Sequence, residues 1–179
     1  MKHPLDKFRF CPVCGSSQFE ENNEKSKKCH ACGFTYYINP SAATVAAIVR
    51  ENPSGEPEIL AVRRAKEPAK GTLDLPGGFS DLGETSEEGV AREVHEETGL
   101  TVLRTQFLFS LPNRYVYSGL EIPTMDMFYR CDVAKTDGAH AMDDAAELLW
   151  IPVGKVNPAD FGLISIREGV ARLKKFFQA

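Results

Sequence analysis

The chain has 179 residues, of which 42% are hydrophobic and 26% charged, with a formal net charge of −4. That length holds one well-cored domain plus a small appendage, and the composition is that of an ordinary water-exposed globule rather than a fibre or a disordered tail. No apolar run approaches a membrane span and residues 1–6 lead into no signal-peptide core, so the cytoplasm is the expected location. The acidic balance gives no reason to expect broad, nonspecific binding to nucleic acid.

The first element is a metal knuckle pair. Cys11-Pro12-Val13-Cys14-Gly15 and Cys29-His30-Ala31-Cys32-Gly33 are two Cys-x-x-Cys motifs separated by fourteen residues. This is close to the common four-cysteine zinc spacing, and a glycine after each second cysteine suits the turn around the ion. Two disulfides or free thiols are the alternative; an intracellular chain with an odd number of cysteines disfavours them. Residues 1–38 are therefore expected to form a zinc ribbon in which Cys11, Cys14, Cys29 and Cys32 hold a structural Zn²⁺. Four thiolates leave no open position for water. His30 is expected to be solvated, and the fifth cysteine, Cys131, to be a small packed strand residue.

After a junction at Tyr36-Tyr37-Ile38-Asn39-Pro40, residues 42–50 form a nearly continuous apolar run that predicts a buried strand. Asn52-Pro53-Ser54-Gly55 is a turn that returns the chain into a second strand over residues 58–64. A loop then leads to Leu75-Pro76-Gly77-Gly78-Phe79, where paired glycines allow close backbone approach and could bring the Gly77 carbonyl near a metal. Thr85 with Glu88 reads as a capping box and Gly99 as a helix stop, which predicts a helix over residues 86–98.

On that helix Glu93, Glu96 and Glu97 stand at i, i+3 and i+4, so they share one face, while Val90, Ala91 and Val94 form an apolar stripe beside them. Like charges at this spacing repel by a few tenths of a kcal/mol per pair, which a hard divalent cation shared with substrate phosphates relieves. A solvated acidic face paired with Arg92 is the plain alternative. Strands are expected over residues 102–111 and 122–133, with an aromatic and basic segment from Pro112 to Gly119 between them. A polar loop over 135–145, a short strand over 147–153 carrying Trp150, and an amphipathic helix over 165–177 complete the chain.

The spacing Gly78-x5-Glu84-x7-Arg92-Glu93-Val94-x-Glu96-Glu97-x-Gly99-Leu100 fills every fixed position of the Nudix box. The chain thus resembles the Nudix hydrolases, and the likeness covers roughly residues 41–152 through Ile59–Arg64 and Gly71–Gly78. The resemblance implies an α/β fold, the Nudix α/β/α sandwich with a mixed sheet, over residues 39–179. It implies Mg²⁺ (or Mn²⁺) held by Glu93, Glu96 and Glu97, with Arg92 orienting Glu93 and Glu84 supporting the cluster. It further implies hydrolysis of a pyrophosphate bond in a nucleoside diphosphate joined to another moiety.

A ribbon ahead of such a domain is similar to the NADH-pyrophosphatase branch, and Tyr37-Ile38-Asn39-Pro40 is a loose echo of its join. The Ser-Gln-Pro-Trp array of that branch departs here to Ser110-Leu111-Pro112-Asn113. The expected substrate is a small dinucleotide or nucleotide sugar such as ADP-ribose or NAD(H). Arg64, Phe79 and Tyr115 are candidates for substrate contact, as are Arg63, Arg114 and Tyr117. Glu147, Asp144, Asp126 and Glu121 are candidates for the base that deprotonates water. Two other readings stay open: an RNA-end (cap) pyrophosphohydrolase that uses the ribbon to hold nucleic acid, and a noncatalytic nucleotide sensor. Pairing into a homodimer is common among Nudix domains and is open here.

Overall fold

The computed structural model describes residues 3–178, which divide into one unit ending at Pro40 and another beginning at Ser41. In the smaller unit, β1 (Phe19–Asn23), β2 (Ser26–Cys29) and β3 (Thr35–Tyr37) form an antiparallel sheet in the order β1-β2-β3. Its apolar cluster is Cys11, Phe19 and Cys29 with Phe34 packed alongside, and Leu5 is buried as well. A core this small does not hold a fold by burial alone and calls for a cross-link or a metal.

The larger unit is built on two four-stranded arrangements. β4 (Ser41–Ala47) lies between β8 (Gly77–Phe79) and β10 (Leu120–Val133), and β9 (Val102–Tyr117) forms the edge beyond β10. The second runs β11 (Ala145–Pro152), β6 (Pro57–Arg64), β5 (Val49–Glu51), with β7 (Leu73–Asp74) pairing to β6. The pairing of β4 with β10 is parallel while the rest is antiparallel, so the first sheet is mixed.

Alternation along the strands sends side chains to opposite faces. Ala46, Ile48, Leu60, Tyr129 and Cys131 pack with Val90 and Val94 of α1 (Ser86–Thr98). Val45, Ala47, Ala61 and Phe128 pack with Ile166, Val170 and Leu173 of α2 (Ile164–Gln178). One helix covers each side, which gives the α/β/α sandwich.

Two expected elements differ in extent. The apolar run of residues 42–50 is two strands, because Ile48 leaves the first ladder: its carbonyl accepts from the Leu60 amide at 2.9 Å and the chain crosses into the second sheet. The strand expected over residues 102–111 runs on through the aromatic segment as β9, which turns only at Ser118 and Gly119, both at positive φ. Pro112 is tolerated because β9 is an edge strand with no ladder to donate to on its outer side. Among the described residues no helix is long and apolar enough to cross a membrane.

Candidate functional site

The helix that carries the acidic residues starts and stops where its sequence dictates. Thr85 accepts from the Glu88 amide and Glu88 accepts from the Thr85 amide, closing the capping box; Gly99 ends the helix at φ 70°. Such a cap is worth roughly 1 kcal/mol and fixes the phase of every following side chain. With Val90 and Val94 locked into the core, Glu93, Glu96 and Glu97 turn together toward a cleft of about 320 Å³.

Arg92 organises this face. Its guanidinium donates to both carboxylate oxygens of Glu84 (2.8 and 3.1 Å), to Glu93 and to Glu96 (2.9 Å each), and to the Phe79 carbonyl (3.0 Å). The hydrogen bonds from Arg92 hold the Glu84 carboxyl below its usual range and hold Arg92 itself firmly protonated. Glu93 goes the other way, because burial raises it against the pull of Arg92.

Glu97 lies outside this network. It is 8% exposed, accepts from the Gly77 amide at 3.1 Å, and among the described residues takes part in no ion pair. Burial pushes its carboxyl up to about 8.

The loop before the helix is pressed against these side chains. A Cβ on Gly77, whose φ is 152°, would stand 2.1 Å from the Thr44 carbonyl oxygen, and one on Gly78 would stand 2.5 Å from Glu93 Oε1. Gly77 pairs in register with Val45 and Gly78 with Thr44, so β4 holds the loop at this distance.

The rest of the cleft wall comes from β4, β7, β9, β10, the loop before β11 and the start of α2. Phe79 and Tyr115 meet edge to face with ring centroids 5.3 Å apart. Arg64 does not line the cleft; it donates to Asp74 at 2.5 Å, to the Pro68 carbonyl at 2.7 Å and to the Tyr115 hydroxyl at 3.3 Å, and so steadies that ring from behind. Arg63 pairs with Glu147, and Arg114 faces Glu121, all of them outside the cleft lining. Tyr117 is exposed near the hairpin turn and is also outside it.

Of the base candidates, Asp126 and Asp144 reach the cleft. Asp144 is brought there by its loop, in which the Met142 amide donates to the Glu97 carbonyl at 3.0 Å and the Asp144 carbonyl accepts from Ala65 at 2.9 Å. Buried Asp74, Asn113 and Thr124 also line the wall, and no short-range sequence signal marks them.

The lining is acidic from several elements, including Asp74, Glu93, Glu96, Glu97, Asp126 and Asp144, and among the described residues it contains no lysine or arginine. A hard divalent cation fits this donor set: oxygen ligands converge, and Glu97 is a buried carboxylate without a counter-charge.

In the smaller unit the four cysteine sulfurs lie within 4.8 Å of one another. Cys11 and Cys32 Sγ are 3.7 Å apart, and Cys14 and Cys29 Sγ 3.6 Å. Those separations are far beyond a disulfide bond of about 2.05 Å. They match the edge, near 3.8 Å, of a tetrahedron with Zn–S bonds of about 2.3 Å. The residues fit zinc. His30 stays outside the cluster, exposed and 3.4 Å from Glu20.

Comparison with known proteins agrees with this geometry. The chain is 34% identical over 110 residues to the NAD-capped RNA hydrolase NudC of Vibrio parahaemolyticus, covering 62% of this chain and 40% of that protein. It is 43% identical over 67 residues to the ADP-ribose pyrophosphatase of Methanocaldococcus jannaschii, covering 37% of each. The chain thus spans about two fifths of the length of these relatives. Among solved structures, a NUDIX hydrolase from Nitrosomonas europaea superposes with a TM-score of 0.70 at 22% identity over 93% of this chain and 90% of that one. The NUDIX domain of Shewanella oneidensis NrtR, complexed with ADP ribose, gives 0.63 at 17% identity over 79% and 90%. Both likenesses concern the fold. The NUDIX domain model itself matches residues 40–173, most of the chain and all of the sandwich but the last turn of α2, and with the acidic helix and its arginine hub in place the protein belongs to the Nudix hydrolase family.

Proposed function

We propose that the protein hydrolyses the pyrophosphate bond of a nucleoside diphosphate joined to a second moiety, such as ADP-ribose or NAD(H), with Mg²⁺ or Mn²⁺. The observation that carries this reading is the acidic cleft lining without a basic residue. A pyrophosphate is an anion, and carboxylates at such range repel it unless cations stand between them. A pure binding site for a nucleotide gains nothing from that arrangement, which argues against a noncatalytic sensor.

In this reading Glu93, Glu96, Glu97 and the Gly77 carbonyl hold the cations. When bound, these supply charge neutralisation of the phosphates and a lowered pKa for a coordinated water. Arg92 keeps Glu93 and Glu96 turned inward, and Glu84 keeps Arg92 in place. Phe79 and Tyr115 offer aromatic surface to the base or the second moiety. Asp144, one of whose oxygens pairs with Lys66, takes the proton from the attacking water on its other oxygen. Asp126 does not suit that task, since three side-chain donors already occupy its carboxylate. Glu121 and Glu147 lie outside the cleft lining.

The names of the relatives support the substrate class: one acts on NAD-capped RNA and another on ADP-ribose. A second reading, cleavage of the same bond at the end of an RNA, draws support from the first of these names. It also draws on the exposed Phe8 and Tyr36 rings of the zinc unit, whose centroids are 6.2 Å apart in a stacked arrangement.

The test is Mg²⁺-dependent phosphate-monoester release from a panel of ADP-ribose, NADH, sugar nucleotides, nucleoside triphosphates and NAD-capped RNA. Turnover of ADP-ribose or NADH that is abolished in folded Glu97→Gln supports the reading. Turnover only of capped RNA selects the second. No turnover by zinc-loaded, folded protein on any of them sinks both and leaves a sensor.

A further inference from the structure

On the wall of the cleft, away from the acidic helix, four buried polar side chains form a network that leaves one acceptor unmet. Asp126 Oδ1 accepts from Thr124 Oγ1 at 2.6 Å; Asp126 Oδ2 accepts from Asn113 Nδ2 at 3.1 Å and from Ser165 Oγ at 2.5 Å. Asn113 is 8% exposed, Asp126 4%, Thr124 3% and Ser165 1%. Thr124 and Asn113 are cross-strand partners on β10 and β9, and Ser165 arrives from the first turn of α2. Three elements thus fix one carboxylate.

That carboxylate fixes the amide. Asn113 must turn its nitrogen to Asp126, because the opposite orientation would set two acceptors against each other. Its Oδ1 is then committed to the other direction, where among the described residues it has no partner although it is buried. Asn113, Thr124 and Asp126 all line the cleft, with Tyr115 two residues along the same face of β9. Leu163 and Ile166 supply an apolar margin. A buried acceptor left unmet is costly, and a donor brought to it by a small shift of the cleft wall relieves that cost.

We infer that Asn113 Oδ1, held by Asp126, Thr124 and Ser165, is a specificity contact that accepts a hydrogen bond from a neutral donor of the substrate. The donor is an N–H or O–H group of the nucleoside portion. This rests on the pyrophosphohydrolase reading and names what that cleft discriminates. Asp126 in this role is a positioning residue: it orients the amide and stays apart from the chemistry.

Three probes distinguish the donor: ADP-ribose, its hypoxanthine analogue without the exocyclic amino group, and its 2′-deoxyadenosine analogue. Wild-type protein is expected to lose about 10- to 100-fold in kcat/KM on one analogue, because the amide oxygen is then buried unpaired. Whichever analogue suffers identifies the amino or the hydroxyl group as the partner. Asn113→Ala lowers turnover of ADP-ribose toward that of the poor analogue and removes the discrimination between them. Asp126→Asn, which loses the fixed amide orientation, narrows the same ratio without altering the Mg²⁺ dependence. Wild-type protein that treats the three probes alike overturns the inference, as does an Asn113→Ala variant that still discriminates. Absence of turnover on all three and on the wider panel refutes the pyrophosphohydrolase reading instead.

Discussion

The Gly77 amide donates to the Glu97 carboxylate at 3.1 Å, tying the start of β8 to the last turn of α1. The contact satisfies one lone pair of a side chain that is otherwise buried and uncompensated. Glu97 is therefore the residue most sensitive to what else enters the cleft.

Without a divalent cation its carboxyl titrates at about 8 instead of near 4.5, raised by burial. The sign follows from linkage. A folded-state pKa above the unfolded one gives stability that is fully present below the unfolded value and is lost as pH rises through the folded value. In magnesium-free buffer with the zinc site loaded, the larger unit should melt at progressively lower temperature from pH 5 to 8.5. Trp150 fluorescence reports it, as the chain's single tryptophan. Glu97→Gln should flatten that slope and be at least as stable as wild type at pH 8.5, while losing more than about 100-fold in turnover. Adding Mg²⁺ at pH 8.5 should raise the wild-type melting temperature and leave the variant nearly unmoved. A steep slope retained by the variant would show that another group carries it.

The two glycines beside this contact fail in different ways when substituted. A methyl on Gly77 meets the Thr44 backbone at 2.1 Å and sits at φ 152°, where other residues are strained. Backbone cannot yield, so Gly77→Ala should destabilise the larger unit by about 3 kcal/mol or more in urea unfolding. The atoms nearest a methyl on Gly78 belong to the movable carboxylate of Glu93. Gly78→Ala should keep most of its stability and lose turnover, about 10-fold or more, with a raised Mg²⁺ requirement. Equal loss of stability in both would contradict this assignment of the clash.

Much of this site is written locally in the chain. The capping box, the Gly99 stop and the i, i+3, i+4 carboxylates lie within one helix, where spacing alone sets direction. The four cysteines are equally local in pairs. What spacing does not carry is pairing at a distance. Asn113 reads in the sequence only as a departure from the Trp of a related array, and its meeting with Asp126 needs the register of a long hairpin. Arg64 reads as a candidate phosphate ligand; only the fold shows its guanidinium occupied by Asp74 and the Tyr115 hydroxyl. The break at Ile48 is likewise invisible, since an apolar run in two sheets looks the same as a run in one.

Arg92 tests how far geometry matters beyond charge. It makes a two-pronged contact with Glu84 and reaches Glu93, Glu96 and the Phe79 carbonyl at once. A lysine keeps the charge and loses the planar fork. Arg92→Lys should fold normally and drop turnover by about 10- to 100-fold, mainly in kcat, with Mg²⁺ affinity weakened. Glu84→Gln acts through the same guanidinium, so the double variant should lose less than the product of the two single losses. Full multiplicativity, measured in a double-mutant cycle, would separate the two residues.

The thiols give a direct account of the smaller unit. Burial pushes the Cys131 thiol up to about 12, and at 2% exposure on β10 it is shielded from reagents as well. A thiol this far from its thiolate reacts only when its surroundings open. Native protein should therefore contain about one equivalent of zinc and react slowly, if at all, with a disulfide reagent such as Ellman's. A strong chelator should release the ion and expose the four thiols of Cys11, Cys14, Cys29 and Cys32, because their small core of Cys11, Phe19, Cys29 and Phe34 does not hold the unit together. The fifth thiol should appear only in denaturant, and Trp150 fluorescence should stay native until then. Fast labelling of all five upon chelation would mean that losing the metal also opens the strand carrying Cys131, and with it the packing beneath α1.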